Sequence, residues 1–358
     1  MRQLATIRKI SDIRPIENAD KIEVAQIDGW ECVIKKGEFA VGDLAVYIEI
    51  DSIVPERPEF EFLRDRKFRV KTIKLRRQIS QGLAMPVSIL PIGNYKLGDD
   101  VTDILGIKKH DPQAEQERLL RQNDKKRSPL VRWLMKFSIF RKLFFKSKRR
   151  GGFPEWIVKT DQERIQNKTI MFEKEKANGT KFVVTEKLDG QSATYFLKKV
   201  GRKKFEFGVC SRNVYLGKPD SSSYWTIAKQ LNIEKALLAL IGDHDSIVLQ
   251  GEIIGSGIQG NKYKVSGYDF YAFDLIYPTG KVSYHQMLNS LMNFEIKSVP
   301  YIESAFQLKD TIAEMVDYAK GNSKLLRSQK REGLVWRCSK PNISFKVINP
   351  EFLLATEE

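Results

Sequence analysis

A run of positive charge between Lys125 and Arg150 interrupts the chain and sets its organisation. This stretch holds eleven basic residues and no acidic one. The residues on either side of it are patterned differently from each other, and 358 residues leave room for two domains. The sequence therefore predicts a basic linker over residues 111–152, between one domain at residues 1–110 and a second at residues 153–358.

The basic linker also has a helical pattern. Apolar and aromatic residues recur at helical spacing from Leu130 to Phe145, and Pro129 is well placed near a helix start. A basic amphipathic helix over residues 129–150 can pack against its own protein, bind a phosphate backbone, or lie on an anionic membrane or partner. These three alternatives stay open at the level of sequence.

The composition indicates a polyanionic partner and excludes several kinds of chemistry. The net charge is +16, of which eleven units lie between Lys125 and Arg150, and such an excess favours nucleic acid or an anionic membrane surface. The three cysteines are widely spaced, so no disulfide framework or zinc ribbon is expected. We expect them to be buried, reduced thiols. The three histidines form no paired metal-ligand spacing. With no signal peptide or membrane-spanning run, we expect a soluble protein of a reducing compartment, cytoplasmic or, in a eukaryote, nuclear.

Residues 1–110 are patterned as short strands separated by turns. Alternation predicts strands at Lys21–Ile27, Trp30–Lys35 and Leu44–Ile50, with a tight turn at Asp28-Gly29. The stretch Phe68–Arg77 alternates apolar and basic residues, which predicts one half-buried strand with a cationic outer face. A small β-barrel is expected, and Pro15–Asp20 followed by strands resembles the opening of tRNA-binding-type OB modules. The basic stretch Arg64–Arg77 contains the candidates for contact with a nucleic-acid backbone: Arg66, Arg69, Lys71 and Lys74.

Residues 153–358 are patterned as an α+β domain. Helical periodicity appears at Tyr224–Ile241 and Leu308–Ala319. Strands are predicted at Phe182–Glu186, Ser192–Lys198, Phe205–Cys210, Ile247–Gly251, Asp269–Ile276, Gly333–Arg337 and Ile343–Val347. The predicted fold class is therefore α+β, with an N-terminal small β-barrel followed by an α+β domain built on antiparallel sheets.

A lysine with nucleophilic potential lies between two of these strands, in Thr185-Glu-Lys187-Leu-Asp189-Gly190. Lysine attacks only as the neutral amine, and its ordinary pKa is about 10.4, so a neighbouring group must drive the proton off. Desolvation does this, as does a nearby cation, such as a metal held by Asp189. Gly190 permits a tight backbone turn at this point.

Further polar motifs follow this lysine in a fixed order. They are Ser211-Arg212-Asn213, Gln250-Gly-Glu252-Ile-Ile-Gly-Ser-Gly-Ile-Gln-Gly260, Asp269-Phe-Tyr-Ala-Phe273-Asp, Arg331-Glu332-Gly and Ser344-Phe-Lys346-Val-Ile-Asn349. The series resembles the nucleotidyltransferase motifs of the covalent ligase and capping-enzyme superfamily, and in detail the ATP-dependent RNA ligases that seal nicks in duplexes. The glycines after Glu252 are interpreted as a turn, because no strand-to-helix unit of a dinucleotide-binding fold surrounds them.

The resemblance implies a role for each matching residue. Lys187 would attack the α-phosphorus of ATP and form lysyl-AMP, with Lys346 neutralising the α-phosphate. Arg212 would hold the AMP or the incoming end, Glu252 would accept hydrogen bonds from the ribose, and Phe273 would stack on adenine. Asp189 and Glu332 would serve the water shell of Mg²⁺ or Mn²⁺.

The chain departs from the pattern of that family at one position and follows one clade in its domain order. Duplex-sealing RNA ligases often carry a second lysine two residues after the Lys346 equivalent, where this chain has Ile348. Either Lys346 acts alone there or another cation substitutes.

DNA ligases and capping enzymes place an OB domain after that lysine, whereas here an OB-like module comes first. That order resembles the RNA ligase clade that seals 3′-OH/5′-phosphate nicks.

The sequence therefore predicts an ATP-dependent RNA ligase that uses Mg²⁺ or Mn²⁺ and acts on nicked duplex RNA or an RNA/DNA hybrid. Two other hypotheses remain: a GTP-using capping-type guanylyltransferase, and an RNA-binding protein whose nucleotidyltransferase core is inactive. Neither the strand requirement nor the oligomeric state follows from the sequence.

Overall fold

The computed structural model describes residues 3–110, 151–202, 204–217, 219–338 and 342–356. The predicted helix at 129–150 lies outside these residues. Within them the chain forms two compact units, one of residues 3–110, 311–314 and 353–356, the other of residues 151–310 and 315–352. No helix among the described residues is long and apolar enough to cross a membrane.

The first unit consists almost entirely of short antiparallel strands. Its sheets follow the orders β1-β5-β10, β2-β3-β4 and β11-β6-β7, with a separate hairpin β8-β9. A short helix, α1 (Thr102–Leu105), and 3₁₀ turns at Pro58–Arg66 and Val87–Ile89 connect them. The strands are β1 (Ala5–Lys9), β2 (Asp12–Pro15), β3 (Ile22–Ile27), β4 (Trp30–Lys35), β5 (Leu44–Ile48), β6 (Ser52–Ile53), β7 (Arg69–Val70), β8 (Ile73–Leu75), β9 (Gln78–Ser80), β10 (Leu83–Pro86) and β11 (Lys108–Lys109).

The strand predictions for this unit are confirmed at three places and wrong at one. β3, β4 and β5 lie within a residue or two of their predicted bounds, and Asp28-Gly29 forms the turn between β3 and β4. The stretch Phe68–Arg77 is not one strand, because it contains β7, β8 and then a turn at Arg76-Arg77. The alternation ends at Leu75, after which three polar residues follow, but no glycine, proline or asparagine marks the turn in the sequence.

The second unit is built on two sheets. The larger has the order β12-β16-β15-β14-β17-β18-β19, with β20 paired to β18, and the smaller the order β21-β13-β22-β23. All pairings are antiparallel except that of β18 with β20. The strands are β12 (Gly151–Gly152), β13 (Lys181–Lys187), β14 (Gln191–Gly201), β15 (Lys204–Ser211), β16 (Val214–Tyr215), β17 (Ser246–Gly255), β18 (Tyr268–Tyr277), β19 (Gly280–Lys281), β20 (Lys297–Ser298), β21 (Tyr301–Gln307), β22 (Gly333–Cys338) and β23 (Ile343–Ile348).

Helices pack against the larger sheet and create the main core. The helices of this part of the chain are α2 (Thr169–Ala177), α3 (Ser223–Gln230), α4 (Ile233–Leu240), α5 (Tyr284–Leu291), α6 (Ile312–Tyr318) and α7 (Pro350–Thr356), with 3₁₀ turns at Ile165–Asn167 and Gln259–Asn261. Buried residues of α3, α4 and α5, including Ile227, Leu237 and Met287, pack against inward-facing strand residues such as Leu249 and Leu275. This core fixes the strands β14, β17 and β18.

Two expectations for this part need correction. The predicted helix Tyr224–Ile241 is two helices, because Asn232 adopts a left-handed conformation with φ 47° between α3 and α4. Of the three cysteines, Cys32 and Cys210 are buried free thiols as expected, whereas Cys338 is only half-buried.

Candidate active site

A cavity of about 380 Å³ in the second unit is lined by residues of both of its sheets. The larger sheet contributes side chains from β14, β17 and β18, and the smaller sheet contributes β13, β22 and β23. The structure brings together at this cavity every residue of the second domain that the sequence singled out: Lys187, Asp189, Arg212, Glu252, Phe273, Glu332 and Lys346.

Lys187 is the last residue of β13 and is surrounded by carboxylates. Its Nζ lies 2.6 Å from Oε2 of Glu332, which directly precedes β22. Burial acts to lower the pKa of Lys187, but the charges of Glu332, Glu252 and Asp189 and the hydrogen bond to Glu332 outweigh it. The pKa of Lys187 therefore lies above its ordinary value, and the lysine is an ammonium in the ligand-free protein. Of the two causes that the sequence suggested for loss of this proton, desolvation is therefore outweighed here, and a nearby cation is the other.

The turn after Lys187 is held in place by a loop that follows β17. The backbone N–H of Asp189 donates to Oη of Tyr263 at 2.9 Å, and Nζ of Lys262 lies 2.6 Å from Oδ2 of Asp189. Gly190 is required here for space, since a Cβ at this position would lie 2.3 Å from the carbonyl oxygen of Ile253. Two contacts and one steric constraint thus fix the orientation of the Asp189 carboxylate.

Glu252 lies in β17 and is half-buried. Oγ of Ser192 on β14 donates to its carboxylate at 3.1 Å. Burial raises the pKa of Glu252 to about 7, with further contributions from Glu332 and Asp189, while Lys187 and the Ser192 hydrogen bond act in the opposite direction. Near neutral pH this side chain exists in both protonation states, and it can serve as hydrogen-bond donor or acceptor.

Phe273 reaches the cavity because of an irregularity in the larger sheet. Gln250 pairs with Asp274 and Gly251 with Ala272, so Phe273 is the extra residue of a β-bulge in β18. A bulge redirects the side chain of its extra residue, and here that side chain faces the cavity. The guanidinium of Arg337 lies 5.6 Å from the ring centroid and also lines the cavity.

Lys346, on β23, presents a second cationic group to the cavity. Burial, together with the charges of Lys187 and Arg164, lowers its pKa to about 8. Ile348 points to the same side of the strand by alternation, but it is 6% exposed and does not line the cavity. The position where related ligases often carry a lysine is therefore apolar core in this chain.

Arg212 follows β15 and lines the cavity from an exposed position. It forms an ion pair with Asp161, whose neighbours Thr160 and Gln162 also line the cavity. This segment was not predicted to contribute to the site. It is held at the cavity by the backbone N–H of Lys346, which donates to the carbonyl oxygen of Glu163 at 2.8 Å.

Several residues that shape the site were missed by sequence reasoning. Lys262, Tyr263 and Ser192 contact the predicted residues, and Asp161 and Arg337 line the cavity with them. Lys262 and Tyr263 directly follow the glycine-rich motif that ends at Gly260, which is the only signal that points to them. The others carry no local signal, because their contacts depend on the pairing of distant strands.

The four basic residues predicted on the first unit differ in their surroundings. Arg69 pairs with Asp51 at 2.7 Å, and Nζ of Lys74 donates to the carbonyl oxygen of Leu354 at 3.1 Å. Arg66 and Lys71 are exposed.

Comparisons with known proteins give matches over both parts of the chain. The family model for RNA ligases matches residues 180–348, and a model described as an OB-fold domain matches residues 4–87. A comparison with curated protein sequences gives no match.

Solved structures of one enzyme, the Naegleria gruberi RNA ligase, are similar over almost the full chain. A mutant with AMP and Mn is 36% identical, with a TM-score of 0.74 and 98% of each chain covered. Another mutant, with ATP and Mn, is 34% identical, with a TM-score of 0.75 and 100% of each chain covered. The ligase with PPi is 35% identical, with a TM-score of 0.73, covering 99% of this chain and 98% of the other. This chain therefore belongs to the RNA ligase family, with an OB-fold domain ahead of its ligase domain.

Proposed function

We propose that this protein is an ATP-dependent RNA ligase that seals 3′-OH/5′-phosphate nicks in a duplex through a lysyl-AMP intermediate. The observation that carries the proposal is the position of Lys187, which lies at a cavity together with Asp189, Glu252, Glu332 and Lys346. The related ligase of Naegleria gruberi has been solved with ATP and Mn, with AMP and Mn, and with PPi. These ligands are the substrate, a fragment and a product of the first step proposed here.

In that first step the lysine is the nucleophile. Lys187 first loses one proton to become the neutral amine. Nζ then forms a bond to the α-phosphorus of ATP, the bond to the pyrophosphate oxygen breaks so that pyrophosphate leaves, and a second proton passes from Nζ to solvent. Because each reactant is highly charged, the protein contributes mainly position and charge neutralisation. Lys346 lies where its cation can face the α-phosphate, and Phe273 lies where its ring can stack on the base.

The donor set of the cavity fits a divalent metal that brings much of its own coordination shell. Among the described residues no group of three or more histidine, cysteine or acidic side chains has metal-ligand geometry. Asp189 and Glu332 each present a carboxylate, which suits Mg²⁺ or Mn²⁺ held through waters and substrate phosphates. A cation bound at these carboxylates would offset the negative charge that raises the pKa of Lys187.

The two later steps use the same cavity. AMP is transferred from Lys187 to a 5′-phosphate of RNA, and a 3′-OH then displaces AMP and closes the strand. Arg212 is exposed at the rim and has the planar donor fork that suits a phosphate. Its ion pair with Asp161 is replaced when a phosphate arrives.

Labelling with α-³²P nucleotides tests the proposal without any nucleic acid. Label from ATP should become covalently attached to the protein in the presence of Mg²⁺ or Mn²⁺ and be absent in Lys187→Ala. Label attached from GTP alone would indicate capping chemistry, and no label from either nucleotide would refute an active enzyme. Sealing of nicked RNA–RNA, RNA–DNA and DNA–DNA duplexes then identifies the strand that must be RNA.

A further inference from the structure

The hairpin β8–β9 of the first unit ends in an unusual turn. Leu75 and Gln78 are its last paired residues, so the turn consists of Arg76 and Arg77 alone. Their φ angles are 50° and 64°, which places both in the left-handed region. Two consecutive residues in that region are typical of a type I′ hairpin turn, whose twist matches that of the flanking strands.

The same unit contains a second turn of this kind with the expected residues. Between β3 and β4, Asp28 and Gly29 have φ angles of 47° and 77°. Asp-Gly is a preferred sequence for such a turn, because glycine and short polar residues tolerate positive φ. Arginine does not share this tolerance, so the turn at Arg76-Arg77 is strained. Strain that persists in a structure points to a function for the residues that carry it.

Positive charge is concentrated at this hairpin. Residues 66–78 contain seven basic residues and no acidic one. Arg76 and Arg77 are both exposed, and neither forms a salt bridge within the part of the chain that the structure describes. The turn therefore presents two neighbouring guanidinium groups to solvent.

The second strand of the hairpin, β9, is held against the rest of the unit. Nε2 of Gln78 donates to Glu31 at 2.7 Å, and Oγ of Ser80 accepts from the N–H of Val33 at 2.9 Å. Ile79 between them is 3% exposed. These contacts fix β9 against β4, so the position of the turn is fixed by the fold.

We propose that the β8–β9 hairpin binds the phosphodiester backbone of duplex nucleic acid through Arg76 and Arg77. The inference rests on the proposed function, because it names the surface that holds the nicked duplex. Guanidinium groups bind phosphate oxygens in pairs, and contacts to the backbone do not depend on base sequence. The apolar residues beside the turn, Ile73 and Leu75, are half-buried, so the tip lacks the exposed apolar side chains that insert into a membrane.

The test uses three double variants of the full chain and a fluorescent nicked duplex. Arg76→Asn/Arg77→Gly restores preferred turn residues while removing both guanidinium groups. Arg76→Lys/Arg77→Lys keeps the charge but removes the planar forks. Lys108→Gln/Lys109→Gln is the matched control, because these two lysines are exposed on β11 of the same unit. Affinity is measured at several salt concentrations, and Tm is measured for each protein.

We expect the Asn-Gly variant to gain thermal stability and to lose affinity. Its Tm should rise because the strained residues are gone. Its affinity at ~0.15 M salt should fall about tenfold, and the slope of log affinity against log salt should decrease by about two, since each lost phosphate contact contributes about 0.9. The lysine variant should lose part of this affinity, and the control should bind nearly as the wild type does.

Three results would overturn the inference. One is duplex binding by the Asn-Gly variant with wild-type affinity and salt slope. Another is an equal loss in the Lys108/Lys109 control, which would show that only total charge matters. The third is an Asn-Gly variant that loses binding to anionic lipid vesicles while it still binds the duplex as the wild type does. Lysyl-AMP formation by the wild-type protein requires no duplex, so a failure there refutes the proposed function without affecting this binding test.

Discussion

Binding of AMP should be coupled to protonation of Lys346. The pKa of this lysine is about 8 in the ligand-free protein, mainly because it is buried. A phosphate placed against it favours the charged form and returns its pKa towards the ordinary value. Any fraction of Lys346 that is neutral before binding must then take up a proton from the buffer.

The size of this uptake follows from the pKa. With a pKa of about 8, Lys346 is neutral in ~0.1 of the molecules at about pH 7, ~0.5 at about pH 8 and ~0.9 at about pH 9. The same fractions give the protons taken up per AMP bound. Because the charged form binds the phosphate, AMP affinity should be constant below this pKa and should fall as the pH rises above it.

Isothermal titration calorimetry measures this directly. AMP is titrated at each pH in two buffers with different ionisation enthalpies, and the difference in heat gives the number of protons. AMP suits this purpose because the second pKa of a phosphate monoester is about 6, so the ligand itself is fully ionised near pH 8. The matched control is Lys346→Arg, which keeps the charge at every pH used and should bind AMP without taking up a proton.

Two outcomes would contradict this reasoning. If the wild type and Lys346→Arg show the same heat difference between buffers, the proton does not go to Lys346. If uptake is the same at low and high pH, the group that titrates does not have a pKa near 8. Glu252, whose pKa is about 7, is present in both proteins, so any proton that it takes up or releases cancels in the comparison.

Three further changes test other parts of the site. Phe273→Ala should weaken AMP binding by ~1–3 kcal/mol, or about five- to 150-fold, if its ring stacks on the base, and less than a twofold change by calorimetry would refute stacking. Gly190→Ala would place a Cβ 2.3 Å from a backbone oxygen, which should cost about 1–3 kcal/mol of stability. Gly152→Ala, with no atom within 4 Å of the added carbon, is its control, and equal Tm values would contradict the prediction. Lys262→Met frees the Asp189 carboxylate in the ligand-free protein and should raise Mn²⁺ affinity by up to about fivefold. Free Mn²⁺ measured by electron paramagnetic resonance checks this, and lower affinity would show that Lys262 instead orients the carboxylate.

The identity of the site residues could be predicted from sequence because their chemistry is unusual in combination. Lys187, Glu252, Glu332 and Lys346 each have an ordinary explanation alone, whereas their order along the chain predicted a shared site, and all four line one cavity. The strands that carry them were predicted from alternation, which is a local property.

The features that sequence reasoning missed depend on register and on backbone conformation. The bulge at Phe273 arises from how β17 pairs with β18, and nothing in either strand alone marks it. The left-handed turn at Arg76-Arg77 contains no glycine, proline or asparagine, and neither arginine is a turn residue by preference. The raised pKa of Lys187 results mainly from Glu332 and Glu252, which lie far from it in the sequence.

The pairing of Lys187 with Glu332 has a consequence for synthesis of the protein. The two residues are 145 positions apart in the chain, and Glu332 directly precedes β22, the strand that pairs with β13. A ribosome adds residues at ~5–20 per second, so the lysine leaves the ribosome many seconds before its partner does. During that interval β13 lacks one of its neighbouring strands, and the nucleotide cavity is not yet formed. The proposed reaction of Lys187 with ATP therefore requires nearly the whole second domain, and unfinished chains should not become adenylylated.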